Sequence, residues 1–149
     1  MKMKLGKLKL TVTMICVAAF MMNATYGQAS GNKNPADWPK DQDAMVSGKK
    51  NHKILLENDS VRVLEVTILP GEKEAVHHHQ WPSVLYVMEG EDFIDRDGEG
   101  NVLFDSRKIP SFHLNKLPMT SWTGPQGPHS IENLSKTQRI RLIRVEIKK

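Results

Sequence analysis

The chain has 149 residues, enough for one ordinary domain, with 39% hydrophobic and 26% charged residues. Its formal net charge of +4 is matched by the lysines of its first stretch, Lys2, Lys4, Lys7 and Lys9, so the remainder is close to neutral. That balance excludes nucleic acid as a favoured partner, and the single cysteine, Cys16, lies in the same stretch, leaving the rest of the chain without disulfides or thiolate metal ligands.

After those lysines come an apolar run from Leu10 to Met22 and then small and polar residues, the layout of a secretory signal peptide. The run is short of the roughly 20 residues a spanning helix needs, and Thr11 and Thr13 interrupt it. Residues 1–27 are therefore expected to be a cleaved signal peptide, with Gly27 and Ala29 both acceptable as the last residue removed. A periplasmic or secreted protein without membrane attachment would remain. Residues 28–50 are polar, contain two prolines and two glycines, and read as a flexible lead-in with an edge strand around Ala44 to Val46.

Residues 51–149 have a different texture, in which short Val-, Ile- and Leu-rich runs are separated by turn residues. Strands are expected at 53–58, 60–69, 74–79, 83–89, 92–96, 101–105, 117–122, 128–133 and 139–148. Arg62, Leu64, Val66 and Ile68 alternate against their neighbours, as do Ile140, Leu142 and Arg144. Many short, evenly spaced strands without helical periodicity give an all-β class: sandwich, jelly roll or barrel.

Chemistry concentrates at His77-His78-His79 and at His129. Side chains two apart on a strand share a face, so His77 and His79 can converge on one ion while His78 points away. About fifty residues later, a Gly/Pro turn from Gly124 to Pro128 delivers His129 onto a new strand. Three imidazoles on two strands make a nitrogen site with open positions, as a catalytic metal needs. Without thiolates, such a site suits Zn, Mn, Fe, Ni or Cu(II). The plainer alternative for three adjacent histidines is a solvated loop end.

These two stretches resemble the motifs of the cupin superfamily, G-x5-H-x-H-x3,4-E-x6-G and G-x5-P-x-G-x2-H-x3-N. Gly71, His77, His79 and Gly90 match the first motif at its spacing, and His129 and Asn133 match the end of the second. The resemblance covers 53–149 and implies a double-stranded β-helix, or jelly-roll, cupin barrel with a divalent metal on His77, His79 and His129. Ser83 stands where the family has a ligand glutamate, and the glycine and proline spacing ahead of Gly127 is not the family's. Glu132 and Glu89 are poor substitutes, the first by facing and the second by distance along its strand.

A first shell of three neutral imidazoles, with Ser83 or water nearby, would leave the ion its full charge and favour a small anionic ligand. Trp81, Leu85, Val87 and Trp122 are the expected pocket residues, with an ordinary core position the rival reading for Trp122. Tyr86 should face outward, Arg96, Arg107 and His113 should be surface groups, and Asn133 should either make a structural hydrogen bond near His129 or serve as a strand-end turn residue. Three functions are compatible with this pattern: a metal-dependent enzyme (a dioxygenase, or an isomerase or lyase), a non-catalytic module binding a sugar, an organic acid or the metal, and an oligomerising domain without metal. Pairing through sheet edges makes a homodimer the expected assembly.

Overall fold

The computed structural model describes residues 34–109 and 116–148, so the expected signal peptide and His113 lie outside the described residues. The strands are β1 (His52–Glu57), β2 (Val61–Ile68), β3 (His77–His79), β4 (Ser83–Glu89), β5 (Phe93–Asp97), β6 (Val102–Asp105), β7 (Met119–Thr123), β8 (Gln126–Asn133) and β9 (Ile140–Ile147). They form a five-stranded sheet in the order β1-β2-β9-β4-β7 and a four-stranded sheet in the order β3-β8-β5-β6. Within both sheets every pairing is antiparallel. The fold is the cupin-type double-stranded β-helix.

Alternation along each strand decides what faces inward, because successive side chains point to opposite sides of a sheet. β2 buries Arg62, Leu64, Val66 and Ile68 and half-buries the residues between them. Register then stacks the inward residues of the larger sheet in layers. Arg62, Glu146, Ser83 and Thr123 form the first, Leu64, Arg144, Leu85 and Ser121 the second, and Val66, Leu142, Val87 and Met119 the third. Ile68 opposite Ile140 closes the apolar end. Leu64, Val66, Ile68 and Ile140 are the buried core, with Phe93, Ile131 and Leu142 packed against it. The first layer is polar throughout, and the layers below it become apolar.

The residues ahead of β1 pack on the barrel. Short 3-10 turns at Pro35–Asp37 and Lys40–Gln42 bring Trp38 and Ala44 to buried positions. Asp43 forms a single parallel bridge with His78, and the Ala44 amide donates to the His78 carbonyl at 3.1 Å. No edge strand forms at Ala44 to Val46. The amides of Val46 and Ser47 both turn back to the Asp43 carbonyl, at 2.8 and 3.0 Å, and so are used within a turn. This cover explains why all three residues of β3 are buried, although alternate ones face outward from the barrel.

Candidate metal centre

Four imidazoles line one cavity: His52, His77, His79 and His129. His77 lies opposite His129 in the β3–β8 pair, and His79 opposite Gln126. His52 comes from the other sheet, as the first and only fully buried residue of β1. Ring centroids are 4.7 Å apart for His52–His77 and His77–His129, 5.0 Å for His77–His79, 5.2 Å for His52–His79 and 5.8 Å for His79–His129. The ligand nitrogens of His52, His77 and His79 all lie within 4.8 Å of one another, a set that holds His52 and not the expected His129.

Each ring is held by its Nδ1. His77 uses the Ala75 carbonyl at 2.8 Å and His129 the Gly127 carbonyl at 2.8 Å, the same two-residue loop-back ahead of each strand histidine. His52 uses the Gly48 carbonyl at 2.9 Å, and His79 uses Glu146 Oε1 at 2.7 Å. In a neutral ring an Nδ1–H donating to oxygen leaves the lone pair on Nε2, the arrangement in which a metal-ligating histidine is oriented by its surroundings. Burial keeps the rings neutral. It lowers His52 and His129 to about 4 and sets His77 and His79 well below the ordinary imidazole value, with nearby histidines and Arg144 adding to the effect. Buried, neutral nitrogens facing one space fit a divalent transition metal.

The other residues expected from the sequence divide by position. Leu85 and Val87 line the cavity, and Trp122 lines it while remaining 59% exposed, which puts it at the mouth rather than in the core. Ser83 is fully buried but is not among the lining residues, its Oγ donating to the Trp81 carbonyl and accepting from Arg144 Nε at 3.0 Å. Trp81 is not among the lining residues; Arg62 and Lys148 lie over its ring at 4.7 and 5.2 Å. Those two cations hold its ring outside the lining of the cavity. His78 faces away, bonded through Nε2 to the Pro39 carbonyl at 2.9 Å and packed on Trp38. Asn133 donates to the carbonyls of Ile68, Leu69 and Gln138, tying strand ends together. Tyr86 faces outward, and Glu132 pairs with Arg96.

The sequence pattern did not reveal five groups. His52 stands alone in a polar stretch, two residues before the apolar run of β1, and belongs to no motif. Glu74 and Asp95 line the cavity, and each has a buried oxygen without a hydrogen-bond partner among the described residues. Burial raises Glu74 to about 8 and Asp95 to about 7. Arg144, only 4% exposed, also lines the cavity, and Glu146, fully buried, joins His79 to Arg62 and faces Arg144 Nε at 3.7 Å. Arg144 and Glu146 had a signal. Both fall on the inward parity of β9, where a charge on an apolar face calls for an explanation.

Gly48 sets how closely β1 approaches β3. A Cβ there would sit 2.8 Å from the Ala44 carbonyl, 3.0 Å from His52 Nδ1 and 3.2 Å from His77 Cγ. Gly48→Ala is expected to displace both rings, lowering stability by about 1–3 kcal/mol through overpacking and weakening zinc binding. Thermal denaturation and a competitive chelator titration measure the two effects. Wild-type values in both would show that the rings tolerate the methyl group.

The titrating groups oppose one another in the metal-free protein. Below pH 6.5 unfolded histidine takes up protons that the folded rings refuse until about pH 4, so stability falls with pH across that window by on the order of 3 kcal/mol each for His52 and His129. Glu74 and Asp95 act in the other direction. The folded chain holds their protons up to about pH 8 and 7, whereas the unfolded values are 4.5 and 3.8, so rising pH lowers stability there. Since the four imidazoles outweigh the two carboxyls below pH 6.5, chelator-treated protein should melt highest near that pH and lower at pH 5 and pH 8. A melting temperature rising steadily from pH 5 to pH 8 would contradict the carboxyl assignment.

The cavity has a volume of ≈ 180 Å³, below the roughly 300–1,000 Å³ that takes drug-sized ligands. Its histidine end is polar, and Val66, Ile68, Leu85, Val87, Leu142 and Ile140 give the rest an apolar wall.

Comparison with solved structures places this architecture among cupin-type double-stranded β-helices. A cupin domain from Bordetella pertussis superposes with a TM-score of 0.50 at 20% identity, over 66% of this chain and 92% of that one. A conserved protein with a double-stranded β-helix domain from Klebsiella pneumoniae gives 0.47 at 18% identity, over 65% and 75%. An RmlC-like cupin from Methanocaldococcus jannaschii gives 0.46 at 10% identity, over 65% and 78%. No protein-family model and no curated protein matches the sequence. The likeness is one of fold.

Proposed function

We propose that this protein is an exported, metal-dependent cupin enzyme acting on a small anionic molecule, with the metal on His77, His79 and His129 and a further nitrogen from His52. The observation that carries this reading is the set of four buried imidazoles, each with Nδ1 engaged by a carbonyl or carboxylate. A bound divalent ion, whether Fe, Mn, Zn, Ni or Cu, would supply Lewis-acid chemistry, and iron would add redox chemistry. With neutral ligands it would keep its full charge, which favours an anion in the cavity.

Two groups equip the cavity for proton transfer. Glu74 and Asp95, raised by burial to about 8 and 7, can hold or release a proton near neutral pH, as general acids and bases do. Oε1 of Glu74, which faces His52 Nδ1 at 3.9 Å, and Oδ1 of Asp95 make no hydrogen bond among the described residues and are the places where such a proton would be exchanged. This favours an enzyme over a passive binding module. Oxygen uptake by the iron-loaded protein, screened over small diketones, thiols and phenolics, tests the dioxygenase form, and isomerase and lyase assays with other metals test the rest. Metal analysis of the untagged mature protein should find about one equivalent of a transition metal per chain. Less than about a tenth, unchanged after reconstitution, would remove the metal and the enzyme together.

Export to the periplasm or medium is supported by the basic, apolar and small-residue order of the first 27 residues, and a mature N-terminus near residue 28 is the result to look for by mass spectrometry. The edge strand β1 leaves Ile54, Leu55 and Leu56 exposed, and pairing two chains would cover it. Light scattering should then report twice the chain mass.

A further inference from the structure

We propose that Arg144 is the ligand-recognition residue of this cavity and that the ligand is a small carboxylate with an apolar body. The inference deepens the anionic-ligand reading above and rests on it. Arg144 lines the cavity from β9, is 4% exposed, and its Nη2 is buried with no hydrogen-bond partner among the described residues. Its Nε is already used, donating to Ser83 Oγ at 3.0 Å. The nearest carboxylate, Glu146, stands 3.7 Å from that Nε and is engaged by His79 and Arg62. A buried guanidinium with a free donor carries a standing cost that an anion in the cavity would relieve.

The chemistry of the walls selects the anion. A guanidinium matches the planar carboxylate with paired N–H donors. A tetrahedral dianion such as phosphate needs more donors, and Arg144 is the one guanidinium among the described lining residues. Register places Arg144 one layer from Glu146, whose Oε1 holds His79 Nδ1, with Leu85 beside it and Val66, Leu142 and Val87 in the next layer. A carboxylate head at Arg144 would therefore sit toward the histidine end, with an apolar body against the aliphatic wall.

The test compares isobutyrate with isobutyramide, which has the same shape without the charge, by calorimetric titration of the full mature protein in metal-free and zinc-loaded forms. Wild-type protein should prefer the acid by about tenfold or more in both forms, the range of a charge-assisted hydrogen bond. Arg144→Gln should abolish that preference while its zinc content stays unchanged, and Arg144→Lys should keep part of it. Equal affinity for acid and amide, a preference that survives in Arg144→Gln, or tighter binding of inorganic phosphate would each overturn the proposal. A preference seen only with zinc and indifferent to Arg144→Gln would place the acid on the metal, overturning the proposal while leaving the metal centre intact. Loss of zinc binding with the Arg144-dependent preference retained would support it and remove the metal instead. Should Arg144→Gln fail to fold, the wild-type acid and amide comparison and Arg144→Lys still decide.

Discussion

Glu146→Ala is expected to lower stability by about 3–5 kcal/mol, because it leaves buried charges unpaired. Glu146 is fully buried, receives the Arg62 Nε–H and the His79 Nδ1–H, and faces Arg144. Its removal would leave Arg62 with Asp43 alone, at 3.4 Å, and Arg144 with no carboxylate within ion-pair distance among the described residues. For a domain of this size the loss corresponds to a melting temperature lower by roughly 10–20 °C. The same substitution frees His79 to rotate or change tautomer, so zinc affinity should fall about 10–100-fold. Glu146→Gln separates the two roles: its amide oxygen can still accept from His79, so zinc affinity should recover more than stability does. Scanning calorimetry and chelator competition provide the comparison, and equal losses of affinity in both variants would deny Glu146 an orienting role.

The second large effect concerns the imidazoles themselves. His77→Ala and His79→Ala should each weaken zinc binding by roughly 100-fold or more, since a structural site's binding energy is divided among a few ligands. His129→Ala should do the same, and His52→Ala distinguishes a fourth ligand from a wall residue. A His52→Ala protein with wild-type affinity would restrict the metal to the three histidines on β3 and β8. Unchanged affinity in both His77→Ala and His129→Ala would mean that the ion, if any, lies elsewhere.

The strand pattern was legible because it is local. Alternation in Val61–Ile68 and Ile140–Ile147 and the turns at Pro70-Gly71 and Asp97 to Gly100 are consequences of side-chain period and backbone freedom. Gly71 and Gly100 do occupy the positive-φ region, at 70° and 91°. The spacing of His77 and His79 is local too, and the resemblance to two cupin motifs added His129. At 44–47 Met45 and Val46 look like a strand in the sequence, whereas in the structure the Asp43 carbonyl captures the backbone donors that a strand would need.

Sequence by itself determined an all-β chain of short strands, the cupin pattern, and a histidine pair on one strand face with a third histidine on another. Tertiary structure decided the rest of the site, because its members are far apart in the chain. Only strand register brings His52 opposite Val66, puts Glu146 between Arg62 and Ser83, and sets Arg144 beside Leu85. Burial then gives those groups their properties, since the same low-dielectric interior that keeps the imidazoles neutral holds protons on Glu74 and Asp95 and leaves Arg144 with an unmet donor. Ser83, which the sequence pattern put near the three histidines, accepts from Arg144 Nε and does not line the cavity, whereas Arg144 does, because their neighbourhood is set by the pairing of β4 with β9.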